Sequence, residues 1–506
     1  MVVSSIYGQD DYSTSVSSTK KEVEKSPVGI PCIGYDIMAE DWELIHDLLG
    51  GTKAMQAAGT KWLPQEAAES STNYNARLSR SILYNGFRDT LNKLTNRPFT
   101  NPILVKDLPA EIAYLKDDVD GTNKSLGTFL KNVLEILIKY GVVHIFVDHS
   151  VVPEVAEGKT ITKEQERQLG VRVYLSCISP KDLIGWQTEK VDKELKLTQI
   201  RIKQSVIEKS GDYGDAEVTY INVYNEENWE VHRQEDEKGE KYNLEETGDY
   251  TFGRIPLVTI YANRTGMMTA ESPLMDLAWL NLAHWQSYSD QRNILRFSRF
   301  GLIFGKGLPD EMVEKGTLEI GPTKAYLTTN ETADMKYVEH SGKSIEAGQK
   351  DVEDIETKMR ILGNQPLIKD LPDTATAERI DETRTVSQLQ SWVRSLENGI
   401  LQALKFACEW RKIDPPKTMG VEIYSDFEAL ILGNTDKDHI LKARELGEIT
   451  RIRYLKEAQR RGIYSQDMKP EEEVKEIDEQ STNELKNLLS DEEIEDEDLE
   501  REEREE

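Results

Sequence analysis

Val386, Leu389, Val393, Leu396, Ile400, Ala403, Ala407 and Trp410 follow one another at unbroken steps of 3 and 4 residues. That spacing predicts a single helix from about Thr374 to Lys412, on the order of 55 Å long, with one apolar seam. An isolated helix of that length with one apolar seam needs partners to cover it, since in proteins most helical stability comes from packing of the apolar face. The chain has room to do so. Its 506 residues exceed the roughly 250–300 at which single cores stop growing, so two to four domain-sized units are expected.

Other segments read clearly from local pattern. Leu126, Phe129, Leu130, Val133, Ile136, Leu137 and Tyr140 recur at helical steps between Ser125, a capping residue, and Gly141, a helix stop. VVHIFVDH then reads as a buried strand. From Val171 to Ala262 the period falls to two, in VRVYLS, LKLTQIRI, AEVTYINVY and IPLVTIYA, which predicts a mostly antiparallel sheet region. Ser272-Pro273 opens a helix that continues to about Arg299, with apolar residues on more than one side. A glycine-punctuated stretch, Gly301 to Gly342, holds a short helix near Pro309 and two strands, LEIGPTKAYLTT and ADMKYVEH. A helix from Ser344 carries Ile345, Val352, Ile355, Met359 and Leu362 on one stripe and stops before Gln365-Pro366. The fold class is α+β.

The charge is −29, from 63 Lys+Arg against 92 Asp+Glu. Residues 471–506 hold nineteen acidic and four basic residues, a net −15, and contain no aromatic residue. Such a segment cannot bury enough apolar surface to offset its ordering entropy and reads as a solvated tail. The acidity argues against a DNA clamp, which works by neutralising phosphates with Lys and Arg. No apolar run approaches the ~20 residues of a membrane span, and no secretory signal is expected at the N-terminus. Cys32, Cys177 and Cys408 are odd in number and far apart, against a disulfide framework and in favour of a reducing compartment.

Motifs for catalysis fail one by one. Gly301-x3-Gly305-Lys306-Gly307 has the wrong spacing for a P-loop and no Ser or Thr after the lysine. Placing Gly121 at the turn of a calcium loop puts Lys116 and Gly127 at ligand positions, so an Asp-Gly turn is the simpler reading. His144 and Asp148 should share one strand face with His149 on the other, against a common metal. GxSxG, HExxH and CxxC are absent. No catalytic residue, metal site or cofactor is expected, and the chain does not read as an enzyme.

The order of elements, together with DVDGTNKSLGTFLKNVLEILIKYGVVHIFVDH, RVYLSCISPKDLIGWQ, IPLVTIYANRTGMMTAESPLMDLAWLNLAHWQSYSDQRNILRFSRFGLIFGKGLP and AERIDETRTVSQLQSWVRSLENGILQAL, resembles tailed-bacteriophage portal proteins, the head-to-tail connectors, in their DUF4055 group. The resemblance covers about Trp42 to Asp478 and rests on order and extent. It implies a portal fold: a flexible segment (1–37), a helix-rich wing containing the sheet (38–270), a first stem helix (271–300), a small α/β clip (301–343) and a second stem helix (344–364). A tunnel loop (365–374), a long helix (375–412), a helical crown (413–478) and an acidic tail (479–506) complete it. The implied function is a ring at one capsid vertex, a homo-oligomer of typically twelve subunits, through which double-stranded DNA is packaged and ejected. Implied partners are the terminase large subunit, the major capsid protein, the scaffolding protein and head-tail adaptor proteins, without a membrane. Localisation would be the virion, with assembly in the host cytoplasm. Alternatives are another virion head or adaptor protein, or an acidic DNA mimic.

By position, the tunnel loop would hold Leu367, Ile368, Lys369 and Asp370. Arg292, Arg296 and Arg299 share a helical face near the expected stem–clip junction. They could bind DNA or a partner, and pairing with carboxylates of neighbouring subunits is at least as good a reading. Arg451, Arg453, Lys456, Arg460 and Arg461 form a basic island expected to pair with nearby acidic surface.

Overall fold

A computed structural model describes residues 26–150, 172–236, 239–249, 252–300, 302–307, 330–338, 342–363, 375–425, 441–460, 464 and 468–480. In chain order its helices are α1 (Ile33–Gly50), α2 (Thr52–Ala58), α3 (Ser71–Leu78), α4 (Gly86–Asn96), α5 (Leu126–Tyr140), α6 (Met275–Phe300), α7 (Gly342–Gly363), α8 (Ala375–Trp410) and α9 (Arg451–Arg460). The strands are β1 (Leu104–Lys106), β2 (Val142–His149), β3 (Val173–Ile178), β4 (Leu183–Val191), β5 (Glu194–Ser210), β6 (Gly214–Asn225), β7 (Asn228–Gln234), β8 (Tyr242–Asp249), β9 (Leu257–Tyr261), β10 (Leu302–Lys306), β11 (Asp334–Val338) and β12 (Gly420–Glu422). The fold is α+β with antiparallel pairing in every sheet. Two compact units divide the chain, one of residues 1–36 and 181–255, the other of 37–180 and 256–506.

The first unit is a five-stranded meander in the order β4-β5-β6-β7-β8. Asp192 and Lys193, both at positive φ, make the two-residue turn between β4 and β5, the backbone state that matches the twist of paired strands. Ile184, Ile221, Val223 and Tyr242 form its buried cluster, with Val28 and Tyr35 packed against them. Residues 26–36 fall in the stretch expected to be flexible, and here they are tied to the meander. Ser26 N–H donates to the Glu240 carbonyl at 2.9 Å, Cys32 N–H to that of Ile184 at 2.9 Å, and the Arg201 guanidinium to the carbonyls of Val28 and Ile30 at 2.8 and 2.7 Å.

In the second unit β2 is the centre of a three-stranded sheet, β3-β2-β9. Its residues from Val142 to Val147 are all buried, which is why it reads as an apolar run instead of an alternating one. The expected single sheet region is thus two sheets: Val173–Ile178 and Leu257–Tyr261 pair with β2, and the strands between them form the meander. Helix α5 begins at Ser125, whose hydroxyl accepts from Thr128 N–H, and ends at Gly141 in the left-handed region. A Cβ at Gly141 would sit 2.0 Å from the Glu271 carbonyl oxygen, so glycine is required there for space as well as for φ.

The long helix finds its partners within this unit. Leu389, Val393, Leu396, Ile400, Ala403 and Ala407 are buried, and α8 packs on β2, β9, α5 and β12. Gly399 marks the closest approach, where a Cβ would fall 2.4 Å from the Ile260 side chain. Most of the stripe on α7 is likewise covered from inside the chain: Val352, Ile355 and Met359 are buried where α7 packs on α6 and α4, while Leu362 is exposed. Local sequence hid this because the partner, α6, lies beyond the β10–β11 hairpin.

Candidate functional site

Helices α6 and α7 run antiparallel, joined through β10 and β11, which pair from Leu302↔Val338 to Lys306↔Asp334. Polar clamps set the register of the helix pair. His284 Nε2 lies 3.0 Å from Glu356 Oε1, the Ser287 hydroxyl donates to Asp351 at 2.5 Å, and the Gln291 amide donates to the Ile345 carbonyl at 2.9 Å. Rising numbers on α6 meet falling numbers on α7. Asp351 and Glu356 are therefore engaged with α6, and the exposed carboxylates of α7 are Glu346, Glu353 and Asp354 besides Asp351.

The other side of α6 meets the N-terminal helices of the unit. Buried Asn281 accepts from Phe87 N–H and donates to the Tyr84 carbonyl, both at 2.9 Å. Arg77, at the end of α3, is 5% exposed. It donates to Glu69 at 2.9 and 2.8 Å, to Asp290 at 3.2 Å and to the Pro64 carbonyl at 2.8 Å. Its hydrogen bonds hold the Glu69 carboxyl below the usual carboxylate range. That network makes a satisfied buried cation.

Beyond it α6 changes character. A cleft of about 250 Å³ opens between the end of α3 and the last turns of α6. Its lining includes the Ser81 and Ser289 hydroxyls, 2.7 Å apart and both buried, and Asn293. Arg77 and Arg80 line one side; Arg292, Arg296 and Arg299 line the other. Among the described residues no carboxylate lines it. Among the described residues Arg80, Arg292, Arg296 and Arg299 make no ion pair; Arg292 lies 5.9 Å from the centre of the Tyr288 ring. The three arginines singled out by their helical spacing thus come together, joined by two more from a segment some two hundred residues earlier. Sequence reasoning missed Arg77 and Arg80; the one trace was two arginines beside a serine in NARLSRS.

The remaining expected sites resolve differently. Leu367, Ile368, Lys369 and Asp370 lie outside the described residues. His144 is buried beside the Thr259 hydroxyl at 3.0 Å, and burial pulls its pKa down to about 3. His149 stacks on the Trp410 ring, away from it. Asp118 accepts from Gly121 and Asn123 N–H and pairs with Arg172 at 2.8 Å; Asp120 accepts from Thr122 N–H and pairs with Lys124 at 2.8 Å. Those carboxylates brace an Asp-Gly turn, and burial acting against these hydrogen bonds still leaves Asp120 lowered to about 2. Among the described residues no three His, Cys, Asp or Glu side chains converge as metal ligands, and no helix is long and apolar enough to cross a membrane. In the basic island Arg451 meets Asp478 at 3.6 Å and Lys456 meets Glu471 at 2.5 Å, as its setting beside acidic sequence led one to expect; Arg461 lies outside the described residues.

The stretch that carries the helix pair, the hairpin and α8 has relatives. Residues 273–411 match the model of a domain of unknown function, DUF4055. The arginine cleft and the α6–α7 clamps draw their α6 and α7 residues from this DUF4055 stretch, while Arg77, Arg80 and Ser81 come from outside it. No curated protein matches the chain. Among solved structures, a chain of the virion of a native gene transfer agent (GTA) particle aligns over 72% of this chain and 85% of its own, at 12% identity and a TM-score of 0.36. One from the neck of the native GTA particle computed with C12 symmetry aligns over 80% and 97%, at 12% identity and a TM-score of 0.37. A third, from the neck of the empty GTA particle computed with C6 symmetry, aligns over 78% and 99%, at 11% identity and a TM-score of 0.35. At these scores the likeness is partial, and nothing about function follows from it.

Proposed function

We propose that this chain is a portal subunit: a structural, non-catalytic protein that assembles into a ring of twelve copies, through which double-stranded DNA enters and leaves a virion. The observation that carries the reading is the DUF4055 stretch in its observed order. A 26-residue helix, a two-stranded hairpin, an antiparallel return helix and a 36-residue helix follow one another there, with residues 364–374 between the last two. That order supports the succession of stem, clip, stem, loop and long helix that the resemblance implies.

The physics of a passage for DNA fits the charge. Duplex DNA carries one negative charge per ~1.7 Å of axis, and a chain of net charge −29 offers it little counterion-release adhesion. At a Debye length of ~8 Å in physiological salt, repulsion from a wall does not block a duplex held at the centre. Exposed Glu346, Glu353 and Asp354 on α7 supply such a surface. In this reading residues 301–343 meet the terminase motor and later the adaptor proteins, and residues 365–374 form the loop nearest the DNA. Deleting residues 367–370 tests the assignment: ring assembly should persist while the yield of DNA-filled particles falls. Normal yield from the deletion would remove the loop from the mechanism.

A further inference from the structure

The arginine cleft is the feature that a passive acidic conduit leaves unexplained. We infer that it is a phosphate-binding site, shaped for the phosphodiester backbone of nucleic acid. The charge of the cleft comes first. Arg77 is neutralised by Glu69 and Asp290, and the other four guanidiniums around the cleft have no ion pair among the described residues. Stabilisation of the helix end explains part of this, since cations favour a helix C-terminus, but that effect fades within the last turn. It reaches Arg299, and Arg80 just past the end of α3 at Leu78, and does not reach Arg292 about two turns before the end of α6.

The chemistry of the donors comes second. Four guanidinium forks and the Asn293 amide offer more donors than the two oxygens of one carboxylate can use, whereas the Ser81 and Ser289 hydroxyls are taken up by the Arg77 carbonyl and by each other. A phosphate presents more acceptor oxygens in three dimensions. The row from Arg292 to Arg299 also extends about 10 Å along the helix at 1.5 Å per residue, longer than a single phosphate and suited to a run of them.

The competing occupant is a row of carboxylates from a second copy, and α7 carries one near this level: Gln291 is level with Ile345, beside exposed Glu346, with exposed Lys343 nearer the start of the helix. Glu353 and Asp354 lie lower, beside the first half of α6, near the levels set by Ser287–Asp351 and His284–Glu356. One carboxylate against four guanidiniums leaves most of the charge of the cleft unmatched, and a polyglutamate peptide distinguishes this occupant from duplex.

The test uses the full-length protein and a fluorescent 20-base-pair duplex, with affinity read by polarisation from 50 to 200 mM NaCl. Replacing Arg80, Arg292, Arg296 and Arg299 by Gln should weaken binding at least tenfold and reduce the slope of log K against log[salt] by about 3.6, at ~0.9 per phosphate contact. Arg296→Gln with Arg299→Gln alone should take about half of that change, and serves if the fourfold variant melts early. Arg451→Gln with Lys456→Gln should change neither quantity. Competition by inorganic phosphate, measured beside the duplex, separates the two sources of the same chemistry: weak phosphate with strong duplex binding assigns the backbone, and phosphate binding alone assigns a free-phosphate site. Unchanged affinity and slope in the fourfold variant, or tighter binding of a polyglutamate peptide than of duplex, would overturn the inference. Light scattering on the same samples reports the ring independently, so a wild-type monomer that binds duplex through these arginines would fail the conduit reading and leave this one standing.

Discussion

The two halves of α6 use polar side chains in opposite ways. From Asn281 to Gln291 the helix engages them inside the fold: Asn281 holds the backbone around Tyr84 and Phe87, His284 and Ser287 hold α7, and Asp290 meets Arg77. From Arg292 onward it leaves three guanidiniums without a carboxylate among the described residues. One arginine on the neighbouring α3 shows what an internally used cation looks like, with four hydrogen bonds and almost no exposed surface. The difference teaches that polarity alone does not mark a functional surface. What marks it is the lack of internal partners where the helix emerges from the core.

Mutations graded along the helix should break this contrast. Trp285 is fully buried, and Trp285→Ala should cost about 3–5 kcal/mol in chemical denaturation. Trp285→Phe should cost much less, since it also removes an indole N–H that has no partner among the described residues. Arg77→Met comes close behind, at about 3–5 kcal/mol, because it strands the Glu69 carboxylate in a nearly buried site. The same variant has a pH signature. Glu69 has a folded pKa below its unfolded value, so its contribution is complete above the ordinary carboxylate range near pH 4.5 and is lost as pH falls through the lower folded pKa. The wild type should therefore lose stability on acidification more steeply than Arg77→Met, as read by melting temperature between pH 6 and 3.

Smaller effects are expected at the border between the halves and beyond it. A Cβ at Gly348 would lie 2.3 Å from the Gln291 side-chain oxygen, so Gly348→Ala should displace that amide and lose its bond to Ile345, about 1 kcal/mol, against a helix-propensity gain of similar size, for a net change near zero. Arg296→Gln and Arg299→Gln should each stay within about 0.5 kcal/mol of wild type, because neither side chain makes an ion pair among the described residues. A loss of 2 kcal/mol at either would place these arginines with Arg77 and end the contrast.

How much of this was legible beforehand follows the distance over which each signal acts. Helix α5 was readable from cap to stop because Ser125 and Gly141 act on their immediate neighbours. Strand β2 was readable because burial on both faces leaves an uninterrupted apolar run. Strand β10 was hidden inside a glycine-rich phrase, since its partner Asp334–Val338 begins nearly thirty residues later. Residues 26–36 looked structureless because the groups that hold them, Ile184, Arg201 and Glu240, are far along the chain. The seam of α7 was visible as a seam but not as an internal one. For the site, the spacing of Arg292, Arg296 and Arg299 announced a basic face, whereas Arg77, Arg80 and Ser81 join it through tertiary packing that no local pattern encodes.

The central claim is that this chain forms a ring around a passage. Negative-stain electron microscopy of the purified full-length protein, with native mass measurement on the same sample, tests it directly. The account predicts closed rings with a central channel and a mass of twelve subunits. A stable monomer that shows no ring under any solution condition would contradict it.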